Sequence, residues 1–137
     1  MSDSFNHMEA VYYLLQQDAT VSGIVGTNIY PYTRPQKSGF PAVVYSQLSE
    51  DMIESKDGPI KNGHRFTLEI YADENDPTGG YPKAQSVAKA CRDRLQWFTG
   101  TVGDYRYRIR FENQNDAAYE EAPEAFKILQ DYTLRVI

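Results

Sequence analysis

Two periodicities divide the chain. Apolar residues recur at intervals of three and four in Phe5, Met8, Val11, Tyr12 and Leu15, and again in Ala84, Val87, Ala88, Cys91, Leu95 and Phe98. That spacing lines one side of a helix. Elsewhere they alternate with polar residues: Phe66, Leu68 and Ile70, then Tyr105, Tyr107, Ile109 and Phe111, then Phe126, Ile128, Tyr132, Leu134 and Val136. Alternation marks strands with one buried face. The pattern predicts a first helix to Gln17 with Asp3 or Ser4 as its cap, a main helix over 81–98, and strands over 64–72, 105–113 and 124–137.

The intervening segments are punctuated by turn chemistry. Asp18 is placed to cap one helical turn before Gly23 and Gly26 break it. Residues 28–32 read as a brief extended piece, and Pro31, Pro35 and Pro41 bar a helix there and set the stretch at a sheet edge. The β-branched and aromatic run from Ala42 to Leu48 predicts another strand. Residues 50–63 are polar, with Asp57-Gly58-Pro59 and Asn62-Gly63 as turn signals, so a long loop joining two strands is expected. Gly100 and Gly103 predict a turn over 99–104, and 115–123 an acidic loop.

Helix, short strand, two strands, helix and two strands together predict an α+β fold: a two-layer sandwich whose mainly antiparallel sheet carries helices on one face. Without repeats or an internal linker, residues 1–137 are expected to form a single domain around one core.

Composition narrows the function. The chain is 41% hydrophobic and 24% charged with a net charge of -5, a globular profile without attraction for phosphate backbones or anionic membranes. No apolar run approaches a membrane span, and Met1-Ser2-Asp3-Ser4 lacks signal-peptide character, so synthesis in the cytoplasm is expected. Cys91 is the lone cysteine and His7 and His64 the two histidines, which leaves no disulfide and no metal-ligand cluster to draw. Cys91, on the apolar side of the main helix, is expected to be a buried structural thiol.

Catalytic candidates are few. His64, beside Asn62-Gly63 at a strand's start, reads as a surface residue. The pairs Glu120-Glu121 and Asp73-Glu74 fall in solvated loops where nothing would raise their pKa values. Gly79-Gly80 before the main helix lacks the residues and spacing of a nucleotide-binding turn.

Two features point instead to contact surfaces. Arg106, Arg108 and Arg110, spaced by two, set three guanidinium groups in a row on one sheet face. They form either a solvated face with cross-strand partners such as Asp131 or Glu69, or a stripe that takes an acidic patch on a neighbouring subunit. The loop at 50–63 carries apolar Met52, Ile53 and Ile60 among charged Glu54, Lys56, Asp57 and Lys61. It reads either as a flexible tip or as an arm that orders against a partner.

Ile29-Tyr30-Pro31, Pro35-Gln36, Phe40-Pro41-Ala42-Val43-Val44-Tyr45, Asp57-Gly58-Pro59, Phe66 to Ala72, Ala88 to Leu95, Gly100-Thr101-Val102-Gly103 and Glu112-Asn113 follow one another in an order that resembles the tail-completion, or tail terminator, proteins of long-tailed bacteriophages and prophages. The resemblance runs from about Met8 to Val136. It implies a structural subunit without enzymatic activity or cofactor, assembling with itself into a hexameric ring at the head-proximal end of the virion tail. It implies as partners the tail tube protein and a head-connector or stopper protein, with DNA passing through the lumen and no specific binding of it. Six copies would carry about -30, a charge that keeps DNA from sticking. The alternatives are a small ferredoxin-like module for a ligand or peptide, which needs a pocket, and a hydrolase dependent on His64.

Overall fold

The computed structural model describes residues 3–32, 41–55, 58–73, 80–115, 119–121 and 124–137. Helix α1 spans Asp3–Gln17 and α2 Ala19–Val25. Strand β1 spans Ile29–Pro31, β2 Ala42–Ser55, β3 Gly58–Asp73, β4 Thr99–Val102, β5 Tyr105–Asn115, β6 Tyr119–Glu121 and β7 Glu124–Val136, with helix α3 at Tyr81–Leu95 between β3 and β4. The strands form one sheet in the order β1-β2-β3-β7-β5-β4, and β6 folds back onto the start of β7. All pairings are antiparallel except β1 with β2. The α+β architecture with helices on one face is therefore the one the periodicities predict.

Alternation decides what each face buries. Phe66, Leu68 and Ile70 of β3, Tyr107 and Ile109 of β5, and Ile128, Tyr132 and Leu134 of β7 all lie in one core beneath the helices. Met8, Val11, Leu14 and Leu15 of α1 close that core, as do Ala84, Val87, Ala88, Cys91 and Leu95 of α3. Across β3, β7 and β5, Phe66, Tyr132 and Phe111 stand in register. Phe66 stacks on Tyr132 at 5.1 Å between ring centroids, and Phe111 meets Tyr132 edge-on at 5.5 Å. Arg92 of α3 lies over the Phe111 ring at 4.1 Å, and Arg94 donates from Nε to the Leu14 carbonyl at 2.9 Å, pinning the end of α1.

Asp18 caps α2 as predicted, its carboxylate accepting from the backbone amides of Thr20 and Val21 at 2.9 and 3.0 Å. Pro31 does sit in an edge strand, whereas Pro35 lies outside the described residues.

Four expectations change. The loop at 50–63 is a hairpin: β2 and β3 stay paired through Glu50 with His64, Asp51 with Gly63, Ile53 with Ile60 and Ser55 with Gly58. A register shift between Asp51 and Ile53 absorbs the Asn62-Gly63 signal as a strand irregularity. The segment 99–104 contains β4, because the two-residue turn Gly103-Asp104, with Gly103 at φ +62°, makes the reversal and frees Thr99–Val102 to pair with β5. The acidic loop contains β6. Finally, α3 stops at Leu95, so Phe98 packs beside the core from the connection to β4. A Cβ on Gly100 would approach the Phe98 ring to 3.0 Å, so any larger residue there would have to displace that ring by a few tenths of an ångström.

Candidate assembly interface

The three arginines of β5 do lie in a row on the face away from the helices, all exposed. Neighbouring strands extend the row. Arg108 stands opposite Arg135 of β7, while Thr133 of β7 lies between Arg110 on one side and Arg65 of β3 on the other. Five of the chain's arginines thus occupy one end of the helix-free face, Arg108 and Arg135 directly across from each other. Like charges in that relation oppose pairing.

The cross-strand partners expected from sequence are occupied otherwise. Asp131 accepts from Thr67 Oγ1 at 2.8 Å and from Asn113 Nδ2 at 3.4 Å. Glu69 accepts from the Tyr71 hydroxyl and lies 3.6 Å from Lys127 Nζ. Arg110 has Glu112, two residues along its own strand, at 3.6 Å, and that carboxylate also accepts from Thr133 Oγ1 at 3.0 Å. Among the described residues the other four face arginines have no carboxylate within ion-pair distance. Apart from Arg110 the stripe therefore has no carboxylate partner among the described residues, and the reading in which Asp131 or Glu69 neutralises it is corrected.

The arm residues fall on the far part of the β2–β3 hairpin. Met52, Ile53 and Glu54 belong to β2, Ile60 and Lys61 to β3; Lys56 and Asp57 lie outside the described residues. The pairing of β3 with β7 ends at Gly63 opposite Arg135, so residues 51–55 and 58–62 continue as a two-stranded ribbon beyond the β7 pairing. A ribbon of two strands is marginally stable by itself.

Sequence reasoning did not mark a cleft of about 830 Å³ between α1 and the β4–β5 hairpin. Tyr12, Tyr13, Tyr45, Tyr105 and Tyr107 line it, with Glu9 and Asp104 as its carboxylates. Tyr12, counted in the apolar stripe of α1, is 38% exposed, and Leu14 takes the core position instead. Trp97, 73% exposed at φ +64°, projects where the chain leaves α3. Exposed tyrosine and tryptophan combine large contact area with a polar tip, which suits them to interfaces. Burial first, then the neighbouring Tyr12, Glu9 and Tyr32, raises the Tyr45 phenol above its usual pKa.

His64 is not at the surface. It lies 1% exposed on the core face of β3, its ring 4.9 Å from that of His7, whose Nδ1 is hydrogen bonded to the Tyr107 hydroxyl at 2.7 Å. The alternation that buries Phe66 and Leu68 buries His64 too; the Asn62-Gly63 turn that would have exposed it does not form. Cys91 is buried as expected, its thiol pushed up to about 12 by desolvation and, secondarily, by Asp18. Such a thiol stays protonated and inert at neutral pH.

A two-stranded ribbon, an arginine-rich face and a tyrosine-lined cleft have the chemistry of contact surfaces. Comparison with known proteins gives the same class. The family model described as Tail completion protein gp17 matches residues 9–137, and the chain belongs to that family of structural, non-enzymatic virion proteins. A chain solved in the virion of a native gene transfer agent particle superposes with a TM-score of 0.71 at 25% identity, over 95% of this chain and 93% of that one. A second solved chain, 8% identical, shares the fold with a TM-score of 0.54 over 95% of both chains. No curated protein sequence matches.

Proposed function

We propose that the chain is one subunit of a ring, of six copies on the resemblance drawn from its sequence, that ends the tail tube at its head-proximal end and offers the surface to which the head attaches. Its partners are further copies of itself, the tail tube protein and a head-connector or stopper protein. DNA passes through the lumen without specific contact. The observation that carries this reading is the β2–β3 ribbon: residues 51–55 and 58–62 stay paired with each other beyond the reach of β7, and the apolar Met52, Ile53 and Ile60 lie in that segment. Such a ribbon gains its stability by packing against a neighbour. The structural likeness to a protein of a gene transfer agent virion supports placement in a tailed particle.

The test removes the ribbon and leaves the rest. Replacing 51–62 by a two-residue turn should give a chain that folds, with cooperative thermal unfolding, but yields tails that do not join heads in a host lacking the native gene. Normal numbers of head-joined particles from the shortened chain would refute the arm's role. The ferredoxin-like module, which the tyrosine cleft could serve, is separated by size: a ligand module stays small when mixed with tail tube protein, and a terminator joins a larger assembly.

A further inference from the structure

We infer that the tyrosine-lined cleft of one copy receives Arg106 and Arg108 from the helix-free face of a second copy, so that identical subunits join head to tail. This inference rests on the ring reading above and supplies its contact. Glu9 of α1 and Asp104 of the β4–β5 turn are exposed at the cleft, whose described lining holds no Lys or Arg. Neither carboxylate has a cation within ion-pair distance among the described residues. Aromatic rings make much of the wall: Tyr12 of α1 leans on Tyr45 of β2 at 6.1 Å between ring centroids, and Tyr105 and Tyr107 of β5 lie 6.2 Å apart. Tyr45 is 8% exposed, yet its hydroxyl has no hydrogen-bond partner among the described residues. After burial and Tyr12, Glu9 raises the pKa of that phenol, so hydroxyl and carboxylate share one space. The cleft therefore suits a cation that lies against aromatic faces and donates several hydrogen bonds at once, to Tyr45 and to the two carboxylates. Arginine does both.

The chain's own arginines are turned the other way. Arg106 and Arg108 alternate with Tyr105 and Tyr107 along β5, so the arginines leave one side of the sheet while the tyrosines line the cleft on the other. Both arginines are exposed and have no carboxylate within ion-pair distance among the described residues. Arg110, with Glu112 at 3.6 Å, is left out of the match. Carboxylates without cations and arginines without anions, held on opposite sides of one strand, complement each other between copies. The opposed Arg108 and Arg135, unfavourable in an isolated subunit, would be relieved by a carboxylate arriving beside them. Because cleft and face are different surfaces, their contact is heterologous, and heterologous contacts propagate into rings or filaments and do not close as a two-fold dimer. A basic segment of another tail protein would also fit the cleft, and a nucleic acid the arginines, but neither uses both surfaces, and the test separates them.

Two charge-reversed chains are made: one with Arg106→Glu and Arg108→Glu, the other with Glu9→Arg and Asp104→Arg. Circular dichroism and thermal melts verify that each folds. Each is then supplied to a host whose native gene is deleted, alone and together, and head-joined particles are counted. Each variant alone should lower the count at least about tenfold through like-charge contact. Together they should restore most of it, because in an alternating ring every glutamate face meets an arginine cleft and every arginine face an unaltered one. Failure of the mixture to rescue two folded variants would overturn the docking. So would a loss confined to the cleft variant, which would give the cleft to another basic partner, and a loss confined to the face variant, which would give the arginines to a nucleic acid or another acidic partner. Should the reversed cleft not melt cooperatively, Glu9→Gln with Asp104→Asn removes the charge and keeps the shape, and an unaltered count from that folded pair would also overturn it. The parent chain tests the underlying reading separately: one copy per purified tail would remove the ring itself, whereas several copies per tail without rescue would remove this contact alone.

Discussion

Phe66, Tyr132 and Phe111 cross three strands in one row, and one residue along the same strands Arg65, Thr133 and Arg110 cross them in the next. The first row is stacked beneath α3, with Phe66 fully buried and Tyr132 nearly so. The second lies on the helix-free face, where Arg65 has no carboxylate within ion-pair distance among the described residues and Arg110 has Glu112 of its own strand at 3.6 Å. Both rows have the same backbone pairing, so the ladder cannot account for the difference between them. Side-chain alternation does, handing one face to the core and leaving the other outside it. The core and the arginine face are thus written into alternate residues of the same strands, and substitutions can address them separately.

The widest separation should come from Phe66 and Arg65, neighbours in sequence. Phe66→Ala removes a fully buried ring and its stacking on Tyr132, and should cost about 3–5 kcal/mol of unfolding free energy. Arg65→Ala removes an exposed side chain and should stay within about 0.5 kcal/mol of the parent. Urea denaturation of the two variants measures both. Equal losses would mean that the helix-free face contributes to the fold as the core does.

A smaller effect tests the apolar face at a polar position in β7. Gln130 is fully buried among core residues; its Nε2 donates to the Ala88 carbonyl of α3 and to Gln114 Oε1, each at 2.9 Å, and its Oε1 accepts from the Tyr132 hydroxyl at 2.8 Å. Gln130→Leu keeps the bulk and strands that hydroxyl, which should cost about 1–3 kcal/mol. Tyr132→Phe in the same background removes the stranded group and should recover part of the loss. A double-mutant cycle in urea measures the coupling, and additivity of the two changes would show that the hydrogen bond carries no net stability.

Gln130 also marks where sequence reading stops. Its neighbours Ile128, Tyr132 and Leu134 declare the buried face of β7 by alternation, yet a glutamine on that face reads as an interruption until α3 is seen to offer it a carbonyl. The same limit holds for the candidate surface. Period two sets Arg106, Arg108 and Arg110 on one face from sequence alone. Arg135 and Arg65 join them only through the strand order β3-β7-β5, which local pattern does not encode. Turn residues misled in the other direction: Asn62-Gly63 is as good a local signal as Gly103, but long-range pairing with Asp51 and Arg135 holds Gly63 in a strand, whereas nothing opposes the reversal at Gly103. Tyr12 was misplaced because 3.6-residue periodicity leaves the edge of an apolar stripe ambiguous by one position, and Leu14 claimed the core.

The smallest expected effect bears most directly on the contrast between the faces. Arg108 and Arg135 face each other in the ladder, and their repulsion acts in the free subunit whether or not a neighbour is present. Arg135→Glu turns the pair attractive, so the isolated chain should become slightly more stable, by about 0.2–1 kcal/mol. The gain should shrink in high salt as screening grows. If the arginine face receives carboxylates from a second copy, the same change should lower the yield of head-joined particles while raising the midpoint of unfolding. A cationic pair retained against folding stability is what a surface selected for contact would show. Urea midpoints at low and high salt, set beside particle counts, measure both quantities in one variant. A chain that gains stability and assembles as before would mean that the opposed arginines serve no neighbour.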